Sequence, residues 1–217
     1  MNNQAFSITR AVISIALFLS TTTLMHADKA YFPIRKSNGD AGLTAFEVQW
    51  YSKSLARMKE PKLPEMAKDK KVIAYRLTIP PTWGNPIAIR IQREGDVYLI
   101  SSRRLNGEGG YDPGKLVEQK NAKLANADAS ALEALLVALR FFEMPTEDGT
   151  VGCDGDEWIL EGVSDGKHHV VQRWCPWSGS PKARGIEPFL GLCRFLIEKS
   201  GPSERPKNGG RELLPIK

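Results

Sequence analysis

The residues able to do chemistry crowd into one short stretch, 153–176, which reads CDGDEWILEGVSDGKHHVVQRWCP. It holds His168, His169, two of the three cysteines, four carboxylates before a central Asp165-Gly166, and Trp158 and Trp174. Asp-Gly between two alternating runs is a hairpin signal. A two-residue turn there pairs Trp158 with Arg173, Leu160 with Val171 and Gly162 with His169. The opposite face then pairs Glu157 with Trp174, Ile159 with Gln172, Glu161 with Val170 and Val163 with His168. In that register Glu161 and His169 lie on different faces. A one-residue slip would bring them together as a general acid and base near Asp154.

Two readings follow. Trp158, Arg173 and Trp174, with His169, are aromatic and basic groups of the kind enriched at binding hot spots. They make a binding function the leading expectation. The alternative is a hydrolase-type enzyme using Glu161 and His169, with Asp154 close by. Each residue also has a structural role open to it: Trp158 over Arg173 as a cation–π pair, Glu161 bound to a buried base, His169 as a hydrogen-bonded core imidazole.

Metal and cofactor chemistry lack a pattern. No His pair has the i, i+4 spacing of a zincin, and Trp158 interrupts the Asp-x-Asp-x-Asp order of a calcium loop. Gly107-Glu108-Gly109-Gly110 matches neither phosphate-binding glycine motif, so a turn is the expected role. No G-x-S-x-G elbow is present. No metal and no cofactor is expected. Cys153 and Cys175 are candidates for a disulfide in an oxidising compartment, while Cys193, on an apolar stripe, reads as a small core residue.

Elements must position this hairpin. Val48, Tyr51, Leu55 and Met58 make a helical stripe that should stop near Glu60, before Pro61. Residues 61–71 read as a Pro- and Lys-rich connector, and Val72–Thr78 as a strand. Ile87, Ile89 and Ile91 alternate with polar neighbours, turn at Glu94-Gly95-Asp96, and return along Val97–Arg104. Lys115–Leu124 reads as a further short strand. Ser130 and Glu133 have capping-box spacing ahead of the stripe Leu132, Leu135, Leu136, Leu139 and Phe142. A last helix carries Phe189, Leu192, Cys193 and Leu196, with Pro188 in its first turn and Gly201-Pro202 as its stop. This order predicts an α+β fold, a mostly antiparallel sheet with helices packed on it.

The N-terminus carries Arg10, an apolar run Ala11–Leu19, and a threonine stretch leading to Ala27, the layout of a secretory signal. Residues 1–27 are therefore read as a signal peptide, 28–42 as an extended lead-in, 43–200 as one domain and 201–217 as a flexible tail. The apolar run is short for a membrane span, so no stable span is expected after cleavage. A periplasmic or secreted location follows.

The chain of 217 residues has a net charge of +5. That surplus belongs to its ends, since residues 72–200 hold 15 basic and 17 acidic residues. A nucleic-acid surface needs basic residues gathered on one face, so nucleic acid is not an expected partner. A protein or cell-envelope partner is.

Four segments resemble a family of exported bacterial proteins with no assigned activity. They are Trp50-Tyr51-Ser52-x-x-Leu55 with Glu60-Pro61; Gly107-x-Gly109-Gly110-Tyr111-x-Pro113-Gly114-Lys115-Leu116; Gly152-Cys153-Asp154-Gly155-x-x-Trp158-Ile159-x-Glu161-Gly162; and His169-Val170-Val171-x-Arg173-Trp174-x-Pro176. The likeness runs from about residue 44 to 200 and transfers no catalytic residue. Gln172 and Cys175 stand where that pattern more often has Asp and Ser.

Overall fold

The computed structural model describes residues 30–37, 42–153, 155–203, 207–208 and 211–212. The expected signal segment 1–27 and most of the tail lie outside them. Helix α1 (Ala45–Arg57) is followed by a single turn, α2 (Leu63–Met66). Strands β1 (Ala74–Ile79), β2 (Ile87–Glu94), β3 (Val97–Leu105) and β4 (Leu116–Lys123) come next. Helix α3 (Asn126–Leu139), the hairpin β5 (Glu157–Ser164) and β6 (Lys167–Trp174), and helix α4 (Glu187–Ser200) complete the domain. In the tail, β7 (Lys207–Asn208) pairs with β8 (Arg211–Glu212).

The six long strands form one antiparallel sheet in the order β4-β3-β2-β1-β5-β6. The fold is α+β, as the sequence predicts. Period-two alternation sends Leu77, Ile89, Ile91, Ile100, Trp158, Leu160 and Val171 to one face, where α3 and α4 cover them with Leu132, Leu139, Phe189, Leu192 and Leu196. Burying each large apolar side chain contributes about 1.5–3 kcal/mol as an upper estimate. The opposite face meets α1 through Val48, Tyr51, Leu55 and Met58, which pack with Ala88, Leu105, Ile159 and Val170. Tyr31 and Phe32 join this second cluster, so the lead-in is built into the core.

Local chemistry explains the ends of the helices. Thr44 and Glu47 form a reciprocal capping box at the start of α1. The expected box at Ser130 and Glu133 is not a helix start; both residues lie inside α3. The alanine-rich segment 125–129 has no breaker, so the helix begins at Asn126 and the Ser130 hydroxyl turns back to the Asn126 carbonyl at 3.3 Å. The connector 61–71 contains α2, whose Leu63 packs against Ala74 and Val163.

Candidate functional site

The hairpin has the register that a two-residue Asp165-Gly166 turn dictates: Trp158 opposes Arg173, Glu161 opposes Val170 and Val163 opposes His168. Its consequence for catalysis is direct. Glu161 lies on the α1 side of the sheet, fully buried, where it accepts hydrogen bonds from Arg76 Nε at 3.0 Å and from His168 Nε2 at 3.1 Å. His169 points to the other face, donates from Nε2 to the Met144 carbonyl at 2.8 Å, and lies against the Phe141 ring. Desolvation, helped by nearby His168 and Arg173, lowers the His169 pKa despite that carbonyl. The expected acid–base pair does not form, because adjacent positions on a strand alternate between faces. Asp154 lies outside the described residues.

The expected binding trio is also corrected. Trp158 is fully buried and packs on Trp177 with ring centroids 5.7 Å apart. Arg173, 2% exposed, lies over the Phe189 ring rather than over Trp158. Its two terminal nitrogens donate to the carbonyls of Pro145, Thr146 and Gln172. Trp174 is half-buried under a glycine lid. A Cβ on Gly152 would stand 2.0 Å from its ring, and one on Gly155 would stand 2.5 Å from Cys175 Sγ. Trp158 and Arg173 occupy the face that α4 covers, whereas Trp174, next along β6, lies on the opposite face.

Cys153, Cys175 and Cys193 are all free thiols, so the expected Cys153–Cys175 bridge is absent. Cys153 is exposed, whereas Cys175 is buried at a positive φ of 37° with its sulfur tucked toward Gly155. Burial raises the Cys175 pKa, which makes it a poor thiolate nucleophile.

A buried ionic network braces the α1 side of the sheet. Arg76 Nη1 lies 3.6 Å from Glu60, and Glu60 also accepts from Arg90 at 3.1 Å and Arg103 at 2.7 Å. Glu60 enters this network because α1 ends at Arg57 and the chain turns through Lys59 at positive φ. Nearby, burial pushes the carboxyls of Asp156 and Glu157 up to about 7. Glu157 feels a second push from Glu47 and an opposing hydrogen bond from Gln172.

Trp50, the 106–114 loop, residues 80–86 and Gly155 are tied together by a chain of hydrogen bonds. Trp50 Nε1 donates to the Gly109 carbonyl, tying α1 to the 106–114 loop. Gly109 and Gly110 N–H groups donate to Gly84 and Thr82 carbonyls, tying that loop to 80–86. Thr82 in turn donates from both its N–H and its hydroxyl to the Gly155 carbonyl. Gly109 is required by close approach, since a Cβ there would lie 2.5 Å from the Pro81 carbonyl oxygen.

These locked loops present aromatic rings outward. Trp83 and Tyr111, each 63% exposed, lie against each other with centroids 5.3 Å apart and ring planes tilted by 43°. Phe46, 69% exposed, leans on Trp50 at 5.7 Å. A groove of about 590 Å³ beside Tyr111 is lined by Lys53, Arg57, Asp112 and Pro113. Neither Trp83 nor Phe46 stood out in the sequence, for an exposed ring leaves no periodic trace. The available signal was a tryptophan inside the breaker-rich run Pro80–Pro86. Among the described residues, no group of three or more acidic, His or Cys side chains could hold a metal. No helix of the described residues is long and apolar enough to cross a membrane. No protein-family model matches this chain, and no curated protein matches it.

Proposed function

We propose that this chain is an exported binding domain, periplasmic or secreted, that docks a protein partner on the ridge formed by Trp83 and Tyr111. The observation that carries this reading is the exposed Trp83–Tyr111 pair on loops locked by hydrogen bonds and glycine contacts. Large rings held in place lose little entropy on binding, and Trp, Tyr and Arg dominate interface energetics. Lys53 and Arg57 line the groove beside Tyr111 together with Asp112, 3.7 Å from Arg57, and the single positive charge left over favours an acidic group on the partner. The layout of residues 1–27 supports export.

The test places a photo-crosslinking amino acid at position 83 or 111 in the exporting host, with the exposed Val137 of α3 as the control position. The expected result is a discrete adduct from 83 and 111 and none from 137. Trp83→Ala/Tyr111→Ala should keep the melting temperature and lose association with the protein found in the adduct. Adducts at all three positions, or at 137 alone, would overturn the reading. Co-sedimentation of the purified chain with cell-wall polysaccharide, lost in the double variant, would replace the protein partner with a glycan.

A further inference from the structure

A second site lies away from the aromatic ridge and does not rest on it. Where α3 ends and α4 begins, a cleft of about 350 Å³ is lined by Arg140, Glu143, Asp148, Arg173, Arg184 and the first residues of α4. Three guanidiniums face two carboxylates there. Asp148 is already engaged, because Oδ2 receives Arg184 Nε at 2.9 Å and Nη2 at 2.8 Å, and Oδ1 accepts the Thr150 N–H. Arg173 is left with a share of that same oxygen, 4.0 Å from its Nε. That nitrogen is buried and donates to no acceptor, while the terminal nitrogens of the group are spent on carbonyls.

The start of α4 adds to the deficit. Its N-cap is Ile186, whose side chain accepts nothing; Pro188 has no N–H, so the uncapped donors of this turn are the Glu187 and Phe189 N–H groups, with the Glu187 carboxylate as the counter-charge a ligand must compete with. The N-terminus of a helix carries partial positive charge and favours an anion. At the rim, Arg140 pairs with Glu143, and both side chains are mostly exposed. Arg140 is held there by two hydrogen bonds, from Nε and Nη2, and an anion in the cleft would compete with Glu143 for them.

We infer that this cleft binds a phosphate-type oxyanion between Arg173 Nε, Arg140 and the N-terminus of α4. Asp148 orients Arg184 as a wall and sets a limit on affinity by its own charge. The cleft of about 350 Å³ has room for a free phosphate, a small phosphomonoester or a lipid headgroup. All three share the same recognition chemistry.

The test is calorimetric titration of the processed chain at low salt with inorganic phosphate, with glycerol phosphate, and with vesicles containing phosphatidate. Sodium chloride at matched ionic strength is the blank. Saturable one-to-one binding of phosphate or glycerol phosphate is expected, and tighter binding of the ester identifies a phosphomonoester. Binding confined to vesicles identifies a headgroup. Arg140→Ala should weaken binding about tenfold, as expected for one charge-assisted hydrogen bond, while Lys123→Ala on β4 leaves it unchanged. Asp148→Asn should tighten it, an effect a purely structural Asp148 would not produce. Absence of saturable binding in every arm would overturn the inference. Equal affinity in a folded Arg140→Ala variant would do the same.

Discussion

Arg76 on β1 and Glu161 on β5 stand directly opposite each other in the sheet, and neither has any exposed surface. Their pairing turns a residue that looked catalytic in the sequence into a fixed counter-charge. Removing one partner of a buried pair strands the other, a loss of about 3–5 kcal/mol. Glu161→Ala should therefore lower the unfolding free energy by about that amount in urea titration. A loss under about 1 kcal/mol would show that the pair is dispensable. Arg76→Met in the same background should recover part of the loss, because the stranded charge goes with it.

The pH profile of stability should carry the mark of Asp156 and Glu157. Their folded-state pKa values of about 7 lie above the ordinary values of about 3.9 and 4.3. The folded chain therefore holds protons that the unfolded chain releases. That contribution is fully present below about pH 4 and is lost as pH rises through about 7. Unfolding free energy should fall across this window, and Asp156→Asn with Glu157→Gln should flatten the fall. A profile that rises from pH 4 to 7, unchanged by both substitutions, would reject the assignment.

Gln172 donates from Nε2 to Glu47 Oε1 at 2.7 Å and lies beside Glu157, so one amide separates two acids. An Asp at this position would gather three carboxylates. Gln172→Asp should be destabilising, with a larger loss at pH 8 than at pH 5. Thermal melts at the two pH values read this directly, and equal losses would contradict it.

Gly109→Ala should disturb the loops that carry the aromatic ridge, since its Cβ would meet backbone atoms of Pro80 and Pro81. A backbone clash cannot be relieved by a rotamer change, so a loss of about 1–3 kcal/mol is expected. Near-ultraviolet circular dichroism should change as the Trp83–Tyr111 pair separates. An unaltered spectrum with unaltered stability would mean that the loop yields without cost.

The three cysteines give a simple chemical count. A thiol reagent should label Cys153 rapidly in the native chain and reach Cys175 and Cys193 only after unfolding. Two of three thiols missing from the unreduced, denatured protein would point to a bridge.

Much of this fold is legible in the sequence because its signals are local. The Asp165-Gly166 turn fixes the hairpin register without reference to anything distant, and the Ile87-Ile89-Ile91 alternation marks β2 in the same way. The helix stripes of α1 and α4 are equally plain. What fails is long-range. Alternation shows that Trp158 and Arg173 share a face with Leu160, but not that α4 will cover that face. Glu161 looks reactive until Arg76, 85 positions away, is placed beside it. Trp83 and Tyr111 meet only because two glycine-dependent loops pack together. Ser130 and Glu133 show the converse error, a correct local spacing overridden by a helix that starts earlier.

The strand order also sets a sequence of events as the chain is made. β1 to β4 can close as a meander from near neighbours, but the free side of β1 waits for β5, which follows α3. Until then the half-built sheet has an open edge, the kind of edge that invites pairing with another chain. Arg76 sits on that edge without Glu161. Glu60 and the Pro61 carbonyl, both earlier in the chain, already meet its Nη1, but the carboxylate for its Nε and Nη2 comes only with β5. The buried pair thus marks the seam where β5, made after α3, joins the earlier meander.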